Sequence, residues 1–349
     1  MTDGKVHNLL IASWLESEHV ETIRAVDPRV NVIHEPGLLR KPRYAADHNG
    51  HPTTRTAEDE ARWRSLLAKA DILFDFDYTN DQDLPDLAPN VRWIHASSAG
   101  IGQFVTRRDY HRRMPNTIFT TARGIHATPL AEFCLMSMLG FSRGLFRMTN
   151  LQAQKKWERY AATDLVGRTL VIFGLGSIGR ETARLARACG MRVIGVKRTV
   201  AGASAESNQV DELVSATDFK AQLPRAEFLV LVAPHTTSTE GILGREELSL
   251  LPRGAVVINI GRGALVDEPA MIESLRGGHL GGAALDVFAT EPLPADSPLW
   301  SMPNVLVCPH SASTSDRENG RLTALFCRNL RAYLDGRSME NVLDVERMY

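Results

Sequence analysis

Val171–Thr199 reads VIFGLGSIGRETARLARACGMRVIGVKRT and gives strand, glycine turn, helix and second strand without interruption. The apolar run Thr169–Phe173 enters Gly174-Leu175-Gly176-Ser177-Ile178-Gly179. Ala183, Leu185, Ala186 and Ala188 then fall at helical spacing over Arg180–Cys189, and Gly190 ends the helix. This order suits a dinucleotide. Gly174 permits the tight turn, Gly176 lets a pyrophosphate approach the backbone, and Gly179 lets the helix pack on the strand. Ser177 and Ile178 open a helix whose first N–H groups are free for an anion.

The end of the second strand adds a choice between cofactors. An NAD-binding unit carries Asp or Glu about twenty residues beyond the turn, for the ribose 2′-hydroxyl. Here the chain has Val196-Lys197-Arg198-Thr199. An acid would repel a 2′-phosphate, whereas Lys197 or Arg198 can pair with it and Thr199 can add a hydroxyl donor, so NADP(H) is expected ahead of NAD(H). The competing reading makes these residues solvated loop charges.

The chain has 349 residues, 44% hydrophobic and 23% charged, enough for two ordinary cores. A formal net charge of −1 gives no global field for nucleic acid or an anionic membrane, so a small-molecule partner is expected. The N-terminal residues lack a cationic start and a long apolar core, and no later segment could span a bilayer. These features lead to the expectation of a cytoplasmic protein. Cys134, Cys189, Cys308 and Cys327 have no metal-ligand spacing and read as reduced thiols.

A second alternating pattern precedes the glycine turn. Asn8–Ala12, Asn31–Glu35, Asp71–Phe76, Val91–Ala96 and Thr117–Ala122 read as short strands, and Ser17–Ala25 and Glu58–Ala70 as helices, which implies a parallel sheet. Gly37–Thr56 reads as a long surface loop, and Thr128–Arg147 as one long helix. Downstream, Phe228–Ala233, Ala255–Ile260, Gly282–Val287 and Asn304–Val307 are apolar runs, each leading into a polar cluster. Those clusters are Pro234-His235-Thr236, Gly261-Arg262-Gly263, Asp286 and Pro309-His310-Ser311. Ligands gather at such carboxyl ends of parallel strands.

The assembly GLGSIG, NIGRGALVDE (Asn259–Glu268), ALDVFATEPL (Ala284–Leu293) and CPHSA (Cys308–Ala312) resembles the D-isomer-specific 2-hydroxyacid dehydrogenase family. TARGIHATPLAEF (Thr121–Phe133) extends the match, while the N-terminal third follows it only loosely. The resemblance implies an α/β protein of two Rossmann-like or flavodoxin-like parallel-sheet domains, with the nucleotide domain inserted into the substrate domain. Residues 1–120 and 313–349 would form the substrate domain and residues 121–312 the dinucleotide domain. It also implies a homodimer, with the Thr128–Arg147 region at the interface.

Carried over by position, the resemblance places the catalytic arginine at Arg262, the carboxylate at Glu291 and the acid/base histidine at His310. The chemistry is consistent with each. A guanidinium can hold a 2-oxoacid through a forked contact, an imidazole can protonate the carbonyl oxygen as hydride arrives, and a carboxylate can orient that imidazole and stabilise its charged form. Asp286 would contact the nicotinamide end of the cofactor or cap a helix, and Pro234, Thr239 and Ile260 would line the cofactor crevice. Ser98-Ala99-Gly100, with Arg262, would bind the substrate, its backbone amides forming an anion nest. Phe74-Asp75-Phe76-Asp77-Tyr78 departs from the family pattern, and Tyr78, Trp300 or the loop near Tyr44 could shape a side-chain pocket or belong to the core. The expected reaction is reduction of glyoxylate, hydroxypyruvate or another small 2-oxoacid to the D-hydroxyacid. Oxidation of a different small anion such as formate or phosphite is an alternative, as is a dinucleotide-sensing protein without turnover.

Overall fold

The computed structural model describes residues 6–346. The first five residues of the N-terminal segment read above lie outside the described residues. The chain forms two compact units: one runs to Ile125 and resumes at Thr314, and the other is His126–Ser313.

The first unit is built on strands β1 (His7–Ile11), β2 (Val30–Ile33), β3 (Ile72–Phe74), β4 (Trp93–His95) and β5 (Ile118–Thr120). They pair in parallel in the order β2-β1-β3-β4-β5, a flavodoxin-like arrangement. The connecting helices are α1 (Ser17–Arg24), α2 (Ala57–Leu67), α3 (Leu84–Leu87), α4 (Gly102–Arg107) and α5 (Tyr110–Arg113). Strands buried on both faces read as continuous apolar runs, which is why the short segments Ile72–Phe74 and Trp93–His95 were recognisable.

The second unit contains α6 (Ala127–Arg143), α7 (Leu145–Ala153), β6 (Thr169–Phe173), α8 (Ser177–Ala188), β7 (Arg192–Lys197) and β8 (Glu212–Ser215). It continues with α9 (Phe219–Gln222), β9 (Phe228–Leu231), α10 (Arg245–Leu250), β10 (Val256–Asn259), α11 (Glu268–Arg276), β11 (Gly282–Leu285) and β12 (Val305–Val307). Its seven parallel strands run β12-β11-β10-β9-β6-β7-β8. The order in which successive strands are added reverses between β6 and β9, the switch point where doubly wound sheets hold dinucleotides. Helix α12 (Glu318–Leu334) returns to the first unit, where Phe326 stacks on Trp93 with ring centroids 4.9 Å apart.

Three expectations change. The expected helix over Thr128–Arg147 is broken at Gly144, whose φ of 72° is left-handed, while the Tyr160 hydroxyl donates to the Arg143 carbonyl at 3.1 Å. The expected surface loop Gly37–Thr56 is anchored. Leu38 and Leu39 are buried, Asp47 accepts from Arg43 and from the Gly50 amide, and the His48 ring lies 2.9 Å from both Ser13 Oγ and Asn319 Oδ1. Strand β8 went unread because its half-buried residues at the sheet edge lack an apolar run. Among the described residues no helix is long and apolar enough to cross a membrane.

Candidate active site

Arg262, Asp286, Glu291 and His310 follow β10, β11 and β12, three adjacent strands of the second unit, so the parallel sheet delivers them to one end. Glycines set the fit. A Cβ at Gly263 would lie 1.9 Å from the Phe288 carbonyl oxygen, and one at Gly261 would lie 2.9 Å from the Ala233 carbonyl oxygen. Arg262 is therefore carried on backbone pressed against the segment that bears Glu291. Asn259 braces the turn by donating to the Arg262 carbonyl at 3.0 Å and accepting from the Gly261 amide at 3.1 Å. Burial pulls the Arg262 pKa below the ordinary arginine value, and Glu291 and then Asp286 oppose that shift.

His310 has a left-handed φ of 52°, uncommon for a residue with a Cβ. Its Nδ1 is 2.8 Å from Glu291 Oε2, while Glu291 Oε1 accepts from the Phe288 amide at 3.0 Å. Nδ1 therefore donates to the carboxylate, and Nε2 remains as the second nitrogen for proton exchange.

Asp286 does something that sequence reasoning missed. Its Oδ1 accepts from the amides of Ser311 and Ala312 at 2.8 and 2.9 Å, clamping the turn that carries His310. Burial raises the Asp286 pKa, opposed by the Ala312 amide, the Cys308 thiol, the His310 charge and the Ser311 amide. The Cys308 thiol, half-buried and bonded to Asp286, is pushed up to about 12.

At the switch point, Gly174 has φ 113° and would meet the Ala233 amide at 2.8 Å with a Cβ, while Gly179 would meet the Gly174 carbonyl oxygen at 2.0 Å. Nothing lies within 4 Å of a Cβ at Gly176, and no side chain caps α8 there. Ser177 and Ile178 thus present an open helix N-terminus, the form of an anion site. A recess of about 430 Å³ lies beside it, lined by Ser177, Thr128, Ser207 and Arg180. Arg180 was not singled out from the sequence, although a cation directly after the third glycine is a usable signal.

Lys197 ends β7 half-buried, and Arg198 and Thr199 are exposed beyond it. Pro234 is exposed after β9, and Thr239 Oγ1 donates to its carbonyl at 2.8 Å. Ile260 is 5% exposed and packs in the core, so only its backbone is available to a ligand.

Three of the sequence-predicted site residues lie in the first unit. Ser98 and Gly100 are exposed, Ala99 is half-buried, and the Gly100 amide donates to Ser98 Oγ at 3.3 Å. Among the residues considered for a side-chain pocket, Tyr78 lines a recess, Tyr44 is exposed, and Trp300 is exposed in the second unit.

Comparison with known proteins fits this geometry. The profile for "D-isomer specific 2-hydroxyacid dehydrogenase, NAD binding domain" matches residues 135–312. The chain is 34% identical to a D-3-phosphoglycerate dehydrogenase of Methanocaldococcus jannaschii over 65% of this chain, though it spans only 43% of that longer protein. It is 32% identical to glyoxylate/hydroxypyruvate reductase B of Pectobacterium carotovorum, over 76% of this chain and 82% of that one. An NADPH-dependent glyoxylate/hydroxypyruvate reductase from Sinorhizobium meliloti, solved with NADP and sulfate, superposes with a TM-score of 0.76 at 26% identity over 98% of this chain and 100% of that one. The chain belongs to the D-isomer-specific 2-hydroxyacid dehydrogenase family and is an NAD(P)-dependent oxidoreductase.

Proposed function

We propose that this enzyme reduces a small 2-oxoacid, in the simplest case glyoxylate or hydroxypyruvate, to the D-2-hydroxyacid with NADPH. The observation that carries the reading is the His310–Glu291 contact at 2.8 Å, between residues that follow β12 and β11, with Arg262 following the next strand, β10. The open Gly176 turn and uncapped α8 fit a pyrophosphate, and Lys197-Arg198-Thr199 fits a 2′-phosphate that an acid there would repel. When bound, the reduced nicotinamide supplies the hydride.

The chain's own residues do the rest. Arg262 holds the 2-oxoacid through its forked donors, and burial strengthens that electrostatic hold. His310 releases a proton from Nε2 to the carbonyl oxygen as C2 is reduced, and Glu291 keeps Nδ1–H and the ring orientation fixed. Asp286 keeps the turn under His310 in place. In the reverse direction the neutral imidazole takes the hydroxyl proton. Residues 98–100 of the first unit would receive the substrate carboxylate on backbone amides.

We read the protein as cytoplasmic and homodimeric, with the α6–α7 face as the interface. Met136, Leu139, Leu145 and Met148 are each 40% exposed or more, and Trp157 nearby is 98% exposed, which supports a face awaiting a partner.

The test follows turnover of NADPH and NADH with a panel of 2-oxoacids, alongside cofactor binding. NADPH-dependent reduction is expected. Equal or better kcat/KM with NADH would refute the role given to Lys197 and Arg198. Cofactor binding without turnover of any 2-oxoacid would overturn the proposed reaction in favour of dinucleotide sensing.

A further inference from the structure

Cys308 is placed by strand register. Leu285 of β11 lies opposite Val307 of β12, and the Cys308 amide donates to the Leu285 carbonyl at 2.9 Å. The next residues on the two strands, Asp286 and Cys308, therefore emerge side by side at the carboxyl end of the sheet. The Asp286 carboxylate accepts from the Cys308 thiol as well as from the Ser311 and Ala312 amides.

The turn that carries His310 is strained and tied at both ends. The His310 amide donates to the Cys308 carbonyl at 3.0 Å, and the two following amides, at 2.8 and 2.9 Å, hold Asp286 Oδ1. Between these ties His310 sits at φ 52°, a conformation that costs a residue with a Cβ. An imidazole on strained backbone keeps its place only while such ties hold.

The ties depend on the charge of Asp286. The residue is 2% exposed, and a buried carboxyl group favours its neutral form unless donors stabilise the anion. A carboxylic acid accepts more weakly than a carboxylate, so a proton on Asp286 would loosen both amides. Arg262 after β10, His310 after β12 and Cys134 on α6 all face its charge. Cys134 is bonded to Thr182, so the thiol that serves the carboxylate is that of Cys308. Burial, then the bond to Asp286 and its charge, push that thiol up to about 12, which makes it a standing donor and no nucleophile at neutral pH.

We propose that Cys308 is a positioning residue for the reduction: its thiol holds Asp286 as the carboxylate that clamps the turn of His310. This inference rests on the 2-oxoacid reductase reading above and adds to it a residue that acts through Asp286.

The test compares wild type, Cys308→Ala and Cys308→Ser as full chains, with NADPH and glyoxylate or hydroxypyruvate, by kcat and KM across pH. Cys308→Ala should lower kcat about three- to tenfold, with KM and NADPH affinity little changed. Removing a donor to the anion lets Asp286 take its proton at higher pH, so the acidic limb of the kcat profile should move up by about 0.5–1 pH unit. Cys308→Ser keeps a donor and should recover most of both losses. If Cys308→Ala does not fold, Cys308→Val fills the thiol's space without a donor and should move the limb in the same way. An acidic limb that stays in place in the folded donorless variant, or moves as far in Cys308→Ser, would overturn the proposal while leaving the reductase reading intact. A Raman difference between wild type and Cys308→Ser reads the thiol without turnover. The S–H stretch of Cys308 should lie below the free-thiol frequency, and a band at the free position would overturn the proposal. Turnover of no 2-oxoacid, with the displaced S–H band present, would instead defeat the reductase reading.

Discussion

Glu291 serves two donors at once, and Glu291→Gln exposes the consequence. Oε1 accepts from the Phe288 amide at 3.0 Å and Oε2 from His310 Nδ1 at 2.8 Å. The amide keeps the size but has one oxygen for two donors. Either Phe288 N–H loses its acceptor, or an NH2 group turns toward Nδ1 and opposes the proton there. A hydrogen bond to a charged group contributes about 1.5–3 kcal/mol. With the two side chains 47% and 36% exposed, solvent screening places the loss in the lower part of that range, about 1.5–2 kcal/mol. At about 1.4 kcal/mol per factor of ten, kcat for 2-oxoacid reduction should fall roughly ten- to thirtyfold. The assay is steady-state NADPH oxidation across pH, with circular dichroism to verify folding. Glu291→Asp keeps both oxygens on a shorter stem and should lose less. A Glu291→Gln enzyme within about twofold of wild-type kcat, or one that fails only in KM, would contradict the role given to this carboxylate.

Arg262→Lys keeps the charge but loses the fork, so kcat/KM for 2-oxoacids should fall about a hundredfold in steady-state assays, with NADPH affinity little changed; equal weakening of NADPH binding would contradict its place at the substrate. Gly179→Ala puts a Cβ 2.0 Å from the Gly174 carbonyl oxygen, which should destabilise the protein by about 1–3 kcal/mol in denaturant titrations and weaken NADPH binding in fluorescence titrations. His95 is held at about 3 by burial, against an ordinary 6.5, with Thr120 Oγ1 2.7 Å from its Nδ1. Between those pH values the unfolded chain binds a proton there and the folded chain does not, so stability drops by about 1.4 kcal/mol for each unit of pH lowered below 6.5. Urea unfolding at pH 7 and pH 5 should show this loss, and His95→Gln should flatten it; an unchanged slope would contradict the assignment.

Much of the fold was legible because parallel strands buried on both faces leave unbroken apolar runs such as Thr169–Phe173, and because the glycine turn needs residue types that few other structures demand. The break at Gly144 was hidden, since it depends on Tyr160 folding back onto the Arg143 carbonyl. The proposal for Arg262, Glu291 and His310 starts from the family's motif order, and the contact between Glu291 and His310 adds to it. The clamp from Asp286 to the amides of Ser311 and Ala312 was not legible, because backbone acceptors and donors leave no signature in side-chain pattern. The anchoring of His48 between Ser13 and Asn319 joins residues far apart in the chain, a contact that local composition cannot announce. In the same segment, a run rich in Pro, Gly and basic residues concealed an oriented Arg40.

The proposed reaction is hydride transfer to C2 with a proton from His310. NADPH carrying deuterium at the transferable C4 position, incubated with the enzyme and a turned-over 2-oxoacid, tests it most directly. One deuterium is expected at C2 of a D-hydroxyacid, and His310→Ala should retain NADPH binding while forming labelled product at least about a hundredfold more slowly. Product without deuterium at C2, or His310→Ala transferring label at the wild-type rate, would contradict it.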